Sequence, residues 1–298
     1  MGIGDFPVAN LLPAGKSHWV VRTVMIRSAP LIRLAVALAG LLAAGALVRA
    51  QTAEQIIAKA RAYYGKEAAL SAIRSVHFIG TMETRQFTAD GPKPVSFAIE
   101  IIFQKPCQQR IVRTAPDAIQ VTGLDEYEGW QRLQDIKNES RWQLTLLEPA
   151  IIKQLRANTW ENLNFFKGIE QSGGSAQVLG PATIEGAATV KVAFIHEPGI
   201  VFYRYFDVTT GRLVLTETGQ GDRIKEGGEI MVDGLRFPQK VTSVSKVTDA
   251  NGQLVENPTV IAFSKITLNE TFPGSYFAVP PLRPRESPPS TPPAGSAH

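Results

Sequence analysis

The chain has 298 residues, and its 31 Lys and Arg against 27 Asp and Glu give a formal net charge of +4. Five of the basic residues but only one acidic residue precede Gln51, so residues 51–298 carry 26 charges of each sign. This balance gives no support to a nucleic-acid partner or to binding at an anionic membrane surface. Because Cys107 is the only cysteine, an intramolecular disulfide is excluded.

The first fifty residues predict a leader with a secretory signal peptide. Arg27 and Arg33 precede an apolar run over residues 34–48, and a small-residue cleavage site at residues 48–50 leaves Gln51 first. An apolar helix of this length spans about 22 Å, whereas a membrane anchor must cross roughly 30 Å, so the run favours a cleaved signal over an anchor. We therefore expect a soluble periplasmic protein whose mature chain does not span the membrane.

Three segments are predicted. Residues 1–50 form the leader, with translation starting at Met1 or at Met25, and residues 51–280 form a single domain. Residues 281–298 form a Pro-rich tail. Seven prolines occur among the last nineteen residues, a composition that buries too little apolar surface to fold, so we expect this tail to be disordered.

The domain begins with helical signals and continues with strands. Thr52 and Gln55 have the spacing of a capping box, which predicts a helix that ends at Gly65, followed by a short helical turn over residues 66–72. Apolar and β-branched runs bounded by Gly, Pro and Asp then predict strands at residues 76–83, 95–103, 108–114, 118–122, 127–133, 176–179, 188–195, 200–208, 213–218, 229–232, 237–246 and 258–268.

The second predicted strand shows which sheet to expect. Phe97, Ile99, Ile101 and Phe103 share one pleat face, which is strongly apolar, while Ala98, Glu100 and Ile102 share the other. This alternation is typical of an antiparallel sheet with one apolar face, and the chain lacks the strand–helix–strand order of a parallel sheet. The sequence therefore predicts a mainly β protein.

A helical segment interrupts the strands between Leu144 and Phe166. Pro149 suits the first helical position and is followed by an apolar stripe, which predicts a short helix of about nine residues. Three aromatic residues come after it. Two interpretations stay open: an ordinary core helix, or a lid packed over the apolar face of the sheet. The residues concerned are Ile151, Ile152, Leu155, Trp160, Phe165 and Phe166.

The stretch from Ile200 to Val247 predicts a β-meander. Thr210 with Gly211 and Asp233 with Gly234 are hairpin turn signals. Its first strand has large side chains on both pleat faces, so one register lines a cavity with Val201, Tyr203 and Tyr205, and the other with Ile200, Phe202 and Phe206. We predict the first of these sets.

Motifs for catalysis or metal binding are weak. His77 and His196 lack neighbouring ligands in sequence, Gly219–Asp222 is a turn rather than a dinucleotide loop, and Cys107 has no partner for reactivity. Asp125, Glu126 and Glu128 favour a solvated loop over a carboxylate pair or a weak calcium site, because they fall within one turn. We therefore expect a protein without metal, cofactor or catalytic activity.

An ordered series of short motifs resembles the periplasmic lipoprotein carriers and the outer-membrane lipoprotein-sorting-like proteins. The resemblance implies a strongly curved antiparallel sheet that forms an incomplete β-barrel, with the N-terminal helix and a central helical segment covering its concave face. It also implies that acyl chains bind between them. The motifs lie at residues 53–68, 73–75, Gly80, 179–181, 184–186, 205–207, 210–213, 232–238, 266–269 and 277–280.

From these features the sequence predicts a non-catalytic carrier or binding protein for lipid, lipoprotein acyl chains or another hydrophobic ligand. Envelope lipoproteins or an inner-membrane protein are further candidate partners. Two alternatives stay open: an envelope sensor or protein-interaction module on the same fold, and a hydrolase with a lipid cleft. The predicted ligand contacts are Phe97, Ile99, Ile101, Phe103, Ile151, Ile152, Leu155, Trp160, Phe165, Phe166, Val201, Tyr203 and Tyr205.

Overall fold

A computed structural model describes residues 51–88, 90–249 and 251–281. The predictions for the leader at residues 1–50, and for the tail beyond residue 281, lie outside the described residues. The helices are α1 (Ala53–Tyr64), α2 (Glu67–Ser71) and α3 (Pro149–Asn164), with 3-10 turns at Ile169–Ser172 and Gly274–Tyr276. The strands are β1 (Ser75–Thr88), β2 (Gly91–Gln104), β3 (Gln108–Thr114), β4 (Ala118–Asp125), β5 (Glu128–Asp135), β6 (Trp142–Leu146), β7 (Ser175–Ile184), β8 (Ala187–Glu197), β9 (Ile200–Asp207), β10 (Leu213–Thr218), β11 (Arg223–Gly227), β12 (Ile230–Val232), β13 (Leu235–Phe237), β14 (Lys240–Thr248) and β15 (Leu254–Leu268).

The strands form one large sheet and one small hairpin. Thirteen strands pair in the order β6-β5-β4-β3-β2-β1-β15-β14-β11-β10-β9-β8-β7, and β12 pairs only with β13. Every strand pair in the described chain is antiparallel. The prediction of a mainly β, antiparallel protein with few helices is confirmed. The strands at the two edges, β6 and β7, are the ones that α3 connects along the chain.

Local sequence patterns correctly predicted most of the helices, strands and turns. The Thr52 hydroxyl accepts from the Gln55 backbone N–H, and the Gln55 side chain accepts from the Thr52 backbone N–H, as a capping box requires. The predicted turns carry glycines at positive φ, 79° at Gly211 and 77° at Gly234, which a residue with a Cβ rarely adopts.

The central helix is longer than predicted. It runs for sixteen residues instead of about nine, because Trp160 and the polar residues after it continue the helix rather than leave it. Three short strands were also missed. β6 alternates apolar and polar residues but is only five residues long and overlaps the segment predicted as helical from Leu144 onward. β11 contains charged residues at Arg223, Lys225 and Glu226, and β13 was predicted only as the start of a strand at residues 237–246.

One face of the large sheet contacts the helices and holds the main apolar cluster. It includes Val76, Phe78 and Met82 of β1, together with Phe194 of β8 and Phe206 of β9. The inner sides of α1 and α3 pack against this face and contribute Ile56, Ala60, Tyr64, Ala157 and Leu163 to the same cluster. The hydrophobic core therefore lies between the sheet and its helices, and we call this face the inner face.

The opposite face is covered at one end by the C-terminal segment 270–281. Trp130 on β5 donates its indole N–H to the Phe277 carbonyl oxygen at 2.7 Å, and Phe277 and Ile102 are fully buried. Gly123 lies beneath the indole, since a Cβ at that position would approach Trp130 to 2.3 Å. The C-terminal segment thus forms a second, smaller core on strands β2 to β5.

The β12–β13 hairpin packs beside α1. Leu235 and Phe237 are buried, and the Phe237 ring lies 6.1 Å from Phe78 and 5.8 Å from Phe165, centroid to centroid. The hairpin therefore joins the inner core instead of extending the sheet. Of the helices in the described residues, none is both long enough and apolar enough to cross a lipid bilayer.

Candidate ligand site beneath helix α3

Helix α3 is buried on two opposite sides. Leu155, Thr159 and Leu163 form one buried side, and Ala157 and Glu161 form another. At roughly 100° per residue, Thr159 and Glu161 point about 200° apart around the helix axis. A helix that covers a sheet as a simple outer layer buries one stripe, so α3 lies between two parts of the protein.

The first side of α3 contacts strands β2 to β5. The Thr159 hydroxyl donates to the Gln109 Oε1 atom on β3 at 3.0 Å, and both residues are buried. The Asn158 amide also approaches the same oxygen, at 3.3 Å. Near the start of the helix, Ile152 lies against Gly129 of β5. This wall of the site is apolar, with one buried polar contact at its centre.

The second side of α3 carries a buried ionic cluster. Glu161 Oε1 lies 2.7 Å from His196 Nε2 on β8, and Glu161 Oε2 lies 2.5 Å from Arg204 Nη2 on β9. Aromatic rings surround it: Trp160 stands edge-on to His196 at 5.3 Å, and Arg204 lies over Phe166 at 4.8 Å. A carboxylate and a guanidinium are costly to bury unless they pair, so this contact fixes α3 to β8 and β9.

The end of α3 is an unusual turn that α1 holds. Phe165 and Phe166 both have positive φ, 45° and 71°, a conformation that costs on the order of 1–3 kcal/mol for a residue with a large side chain. Arg61 of α1 donates to the carbonyl oxygens of Asn164 at 2.7 Å and Phe165 at 2.8 Å. The two rings insert into the inner core, where Phe166 lies 5.1 Å from Phe206.

Arg61 is itself held by Glu67. The Glu67 carboxylate accepts from Arg61 at 2.7 Å and from Lys167 at 2.8 Å. The Arg61 guanidinium, followed by the Lys167 ammonium, lowers the pKa of the Glu67 carboxyl from its ordinary value near 4.5 to about 2. The C-terminal end of α3 is therefore joined to α1 and α2 through charged groups.

Most predicted ligand contacts come together at this site. The four alternating residues of β2 lie on the inner face, with Ile99, Ile101 and Phe103 buried and Phe97 partly buried. Leu155, Phe165 and Phe166 are buried, and Ile151, Ile152 and Trp160 are half-buried along α3. Contact of any of these residues with a ligand stays a prediction.

Three predicted contacts lie elsewhere. On β9 the inner face holds Phe202, Arg204 and Phe206, so Val201, Tyr203 and Tyr205 project from the opposite face. There Lys191 approaches the rings of Tyr203 and Tyr205, and the Tyr205 hydroxyl donates to Glu217 at 2.6 Å. The predicted register parity for β9 therefore differs from the structure. The apolar pattern could not decide it, because both faces of β9 carry large side chains.

No protein-family model matches the chain, and no curated protein matches it either. The structure is similar to solved structures of the LolA superfamily. A LolA superfamily protein from Nitrosomonas europaea shares 12% identity at a TM-score of 0.49, over 77% of this chain and 99% of that one. A DUF1329 family protein from Desulfovibrio piger shares 9% identity at a TM-score of 0.48, over 76% and 98% of the two chains.

A third similar structure is a domain from Vibrio parahaemolyticus described as an outer membrane lipoprotein-sorting protein. It shares 9% identity at a TM-score of 0.45, over 75% of this chain and 97% of that one. The resemblance predicted from the sequence motifs is thus confirmed as a similarity of structure. A structural similarity at these TM-scores does not identify a ligand. The ligand class is therefore inferred from the contacts around α3.

The ionic cluster beneath α3 was not predicted. Its members are separated by 35 residues between Glu161 and His196, so no local motif connects them. One signal was present in the sequence: Arg204 interrupts an apolar strand. A charged residue in the centre of such a strand indicates a buried partner.

A second feature outside the prediction is a cleft of about 650 Å³ between the outer side of α1 and the β12–β13 hairpin. Tyr63 and the exposed side chain of Met231 line it. Arg236 donates to the Tyr63 carbonyl oxygen at 2.9 Å and pairs with Glu229 at 3.2 Å.

Proposed function

We propose that the protein is a non-catalytic periplasmic carrier that binds the acyl chain of a lipid or lipoprotein on the inner face of its sheet, in the space that α3 fills. The observation that carries this proposal is the burial of α3 on two opposite sides. The predicted signal peptide at residues 1–50 supports the compartment.

The contacts of α3 support a curled sheet around an interior. Thr159 is hydrogen-bonded to Gln109 on β3 and Glu161 is paired with Arg204 on β9, and these strands are seven positions apart in the sheet. In a flat sheet they would lie about 34 Å apart at roughly 4.8 Å per strand. Contacts with both strands from two residues within a single helical turn support a sheet that curls around that helix.

The free energy gained by burying an acyl chain is comparable with the free energy lost by exposing the side chains of α3. A buried methylene contributes about 0.8 kcal/mol, so a chain of a dozen methylenes contributes roughly 10 kcal/mol. Exposing the buried Leu155 and Leu163 costs roughly 1.5–3 kcal/mol each, and Trp160 is only half-buried already. An acyl chain on the inner face can therefore offset the withdrawal of α3, and the helix has the properties of a lid.

A reversible tether at the C-terminal end of α3 tests the proposal. Lys167, just beyond the C-terminal end of α3, pairs with Glu67 on α2 at 2.8 Å, and both side chains are exposed. Cysteines at these two positions, in a Cys107→Ser background, can be joined by a reagent that contains a cleavable disulfide. We expect the joined protein to lose binding of a fluorescent fatty acid, and cleavage of the reagent to restore it.

The two single-cysteine variants, treated with the same reagent, are the controls. Undiminished binding by the joined protein would show that α3 does not cover the ligand. Absence of any acyl-chain binding by the untreated protein, in both fluorescence titration and native mass spectrometry, would remove the carrier proposal itself.

A second candidate function is recognition of a protein partner, and the cleft between α1 and the hairpin favours it. Met231 is 55% exposed beside Tyr63 and Arg236, and aromatic, Met and Arg side chains are enriched in protein interfaces. Met231→Asp should prevent capture of an inner-membrane partner without changing acyl-chain binding. Loss of acyl-chain binding in this variant would instead place the ligand in the cleft.

A further inference from the structure

The carboxylate of Glu161 is enclosed as a bound ligand would be. It receives one contact from His196 and one from Arg204, and its side chain is only 2% exposed. Trp160, Phe166, Phe194 and Phe202 form the apolar surroundings of these two basic residues. The Glu161 carboxylate thus lies at the edge of a long apolar face. An anionic amphiphile bound to the same face would place its head group in this position.

The pairing of Glu161 with Arg204 is incomplete. Glu161 reaches the guanidinium only through Nη2, and Arg204 Nε is buried without a hydrogen-bond partner among the described residues. Arginine binds a free carboxylate best through two parallel N–H donors. A carboxylate that is not constrained by a helix backbone can align with both Nε and Nη2, and so satisfy the donor that Glu161 leaves unused.

Withdrawal of α3 changes the charge of the site. Glu161 leaves with the helix, whereas Arg204 and His196 stay on the sheet. The guanidinium then faces the inner face without its counter-charge, and an unpaired charge in apolar surroundings is strongly unfavourable. A ligand with an anionic head restores the pairing, and a neutral ligand of the same length does not.

We propose that Glu161 occupies the head-group site of the ligand, and that Arg204 and His196 bind the carboxylate of a long-chain fatty acid when α3 withdraws. This inference rests on the proposed carrier function and specifies the ligand class. Glu161 thereby acts as an internal competitor, which keeps the empty protein closed.

The test compares hexadecanoic acid with hexadecanol, which share a chain length and differ in charge. Affinities are measured by displacement of a fluorescent probe and by native mass spectrometry. We expect the wild type to prefer the acid by about tenfold or more, as removal of a charged partner from a buried pair predicts. Glu161→Gln weakens only the closed state, which both ligands must open, so it should increase the affinities for the acid and for the alcohol by the same factor, about tenfold, and keep the preference for the acid. Arg204→Gln should remove the preference for the acid.

Glu197→Gln is the matched control, because it removes the exposed ion pair between Lys153 on α3 and Glu197 on β8 but leaves the buried carboxylate in place. It should raise both affinities much less than Glu161→Gln does, because an exposed pair contributes little. If Arg204→Gln does not fold, as judged by circular dichroism, the double variant Glu161→Leu with Arg204→Met decides, since it removes both buried charges together and should bind the acid and the alcohol equally.

The two proposals fail in different ways. Equal affinity of the wild type for acid and alcohol would overturn the head-group assignment and leave the carrier function intact. Failure of every variant to bind either compound would overturn the carrier function.

Discussion

Glu161 on α3 and Arg204 on β9 lie 2.5 Å apart, Oε2 to Nη2, with side-chain exposures of 2% and 10%. They belong to a helix and a strand that are distant in sequence, and they join the two across the interior of the protein. Because both groups are buried, the pair affects stability more through what happens when one partner is lost than through its net attraction.

Glu161→Ala should therefore lower the free energy of unfolding by about 3–5 kcal/mol, since Arg204 is left as an uncompensated buried charge. Glu197→Ala, which removes the exposed pair with Lys153, should cost no more than about 1 kcal/mol. Urea denaturation followed by circular dichroism measures both. Combining Glu161→Leu with Arg204→Met should be less destabilising than Glu161→Ala alone, and a strictly additive loss would contradict a direct pairing.

Glu67 predicts a dependence of stability on acid. The pKa of its carboxyl is about 2 in the folded protein and near 4.5 ordinarily, so its contribution is complete above the ordinary pKa and is lost as the pH falls through the folded one. Because the side chain is 52% exposed, screening keeps the contribution small, at most about 1 kcal/mol. Glu67→Gln should flatten the decline in stability between about pH 4.5 and pH 2. An unchanged slope would show that Glu67 is not ionised against Arg61.

Glu226 predicts the opposite dependence. Burial raises the pKa of this carboxyl, and the hydrogen bond from the Tyr64 hydroxyl at 2.9 Å only partly offsets that effect. A raised acid pKa contributes stability that is present below the ordinary pKa and is lost as the pH rises through the folded value. Glu226→Gln should therefore remove a loss of stability that the wild type shows on going from acidic to neutral pH. Melting temperatures across that range, with Glu229→Gln as a control at an exposed position, measure the difference.

Gly123 is required by the ring of Trp130. A Cβ at this position would lie 2.3 Å from the indole, so Gly123→Ala should displace the ring and cost about 1–3 kcal/mol. Displacement also breaks the bond from the indole N–H to Phe277, which should shift the tryptophan emission. Gly274→Ala is the control, because nothing lies within 4 Å of its added Cβ. Equal stability of the two variants would place Trp130 elsewhere.

The sequence predicted the individual helices, strands and turns better than the contacts between them. The capping box of Thr52 and Gln55 and the turn at Gly211 depend on neighbouring residues, so local chemistry was sufficient to predict them. The face of β9 was not predictable in the same way, because Phe202 and Tyr203 are both large and apolar. What distinguishes the two faces is contact with the segment around α3, since Phe166 lies against Phe206 and Glu161 pairs with Arg204.

The candidate site was predicted in part for the same reason. Alternation along β2 identified the inner face from Phe97 to Phe103, since a period of two is a local property. The cluster of Glu161, His196 and Arg204 depends on three elements that meet only after folding. The length of α3 was underestimated because its C-terminal half faces polar as well as apolar surroundings, and so lacks a single apolar stripe.

The connections of α3 differ at its two ends. Two residues, Leu147 and Glu148, join it to β6, and the Leu147 N–H is bonded to the Gly129 carbonyl oxygen at 2.8 Å. By contrast, residues 165–174 separate its other end from β7. The helix therefore has a short connection to the sheet at its N-terminal end and a long one at its C-terminal end. A rotation of the helix about its N-terminal end moves Glu161 much farther than Ile152. A ligand entering beneath α3 would therefore find the widest opening next to Arg204.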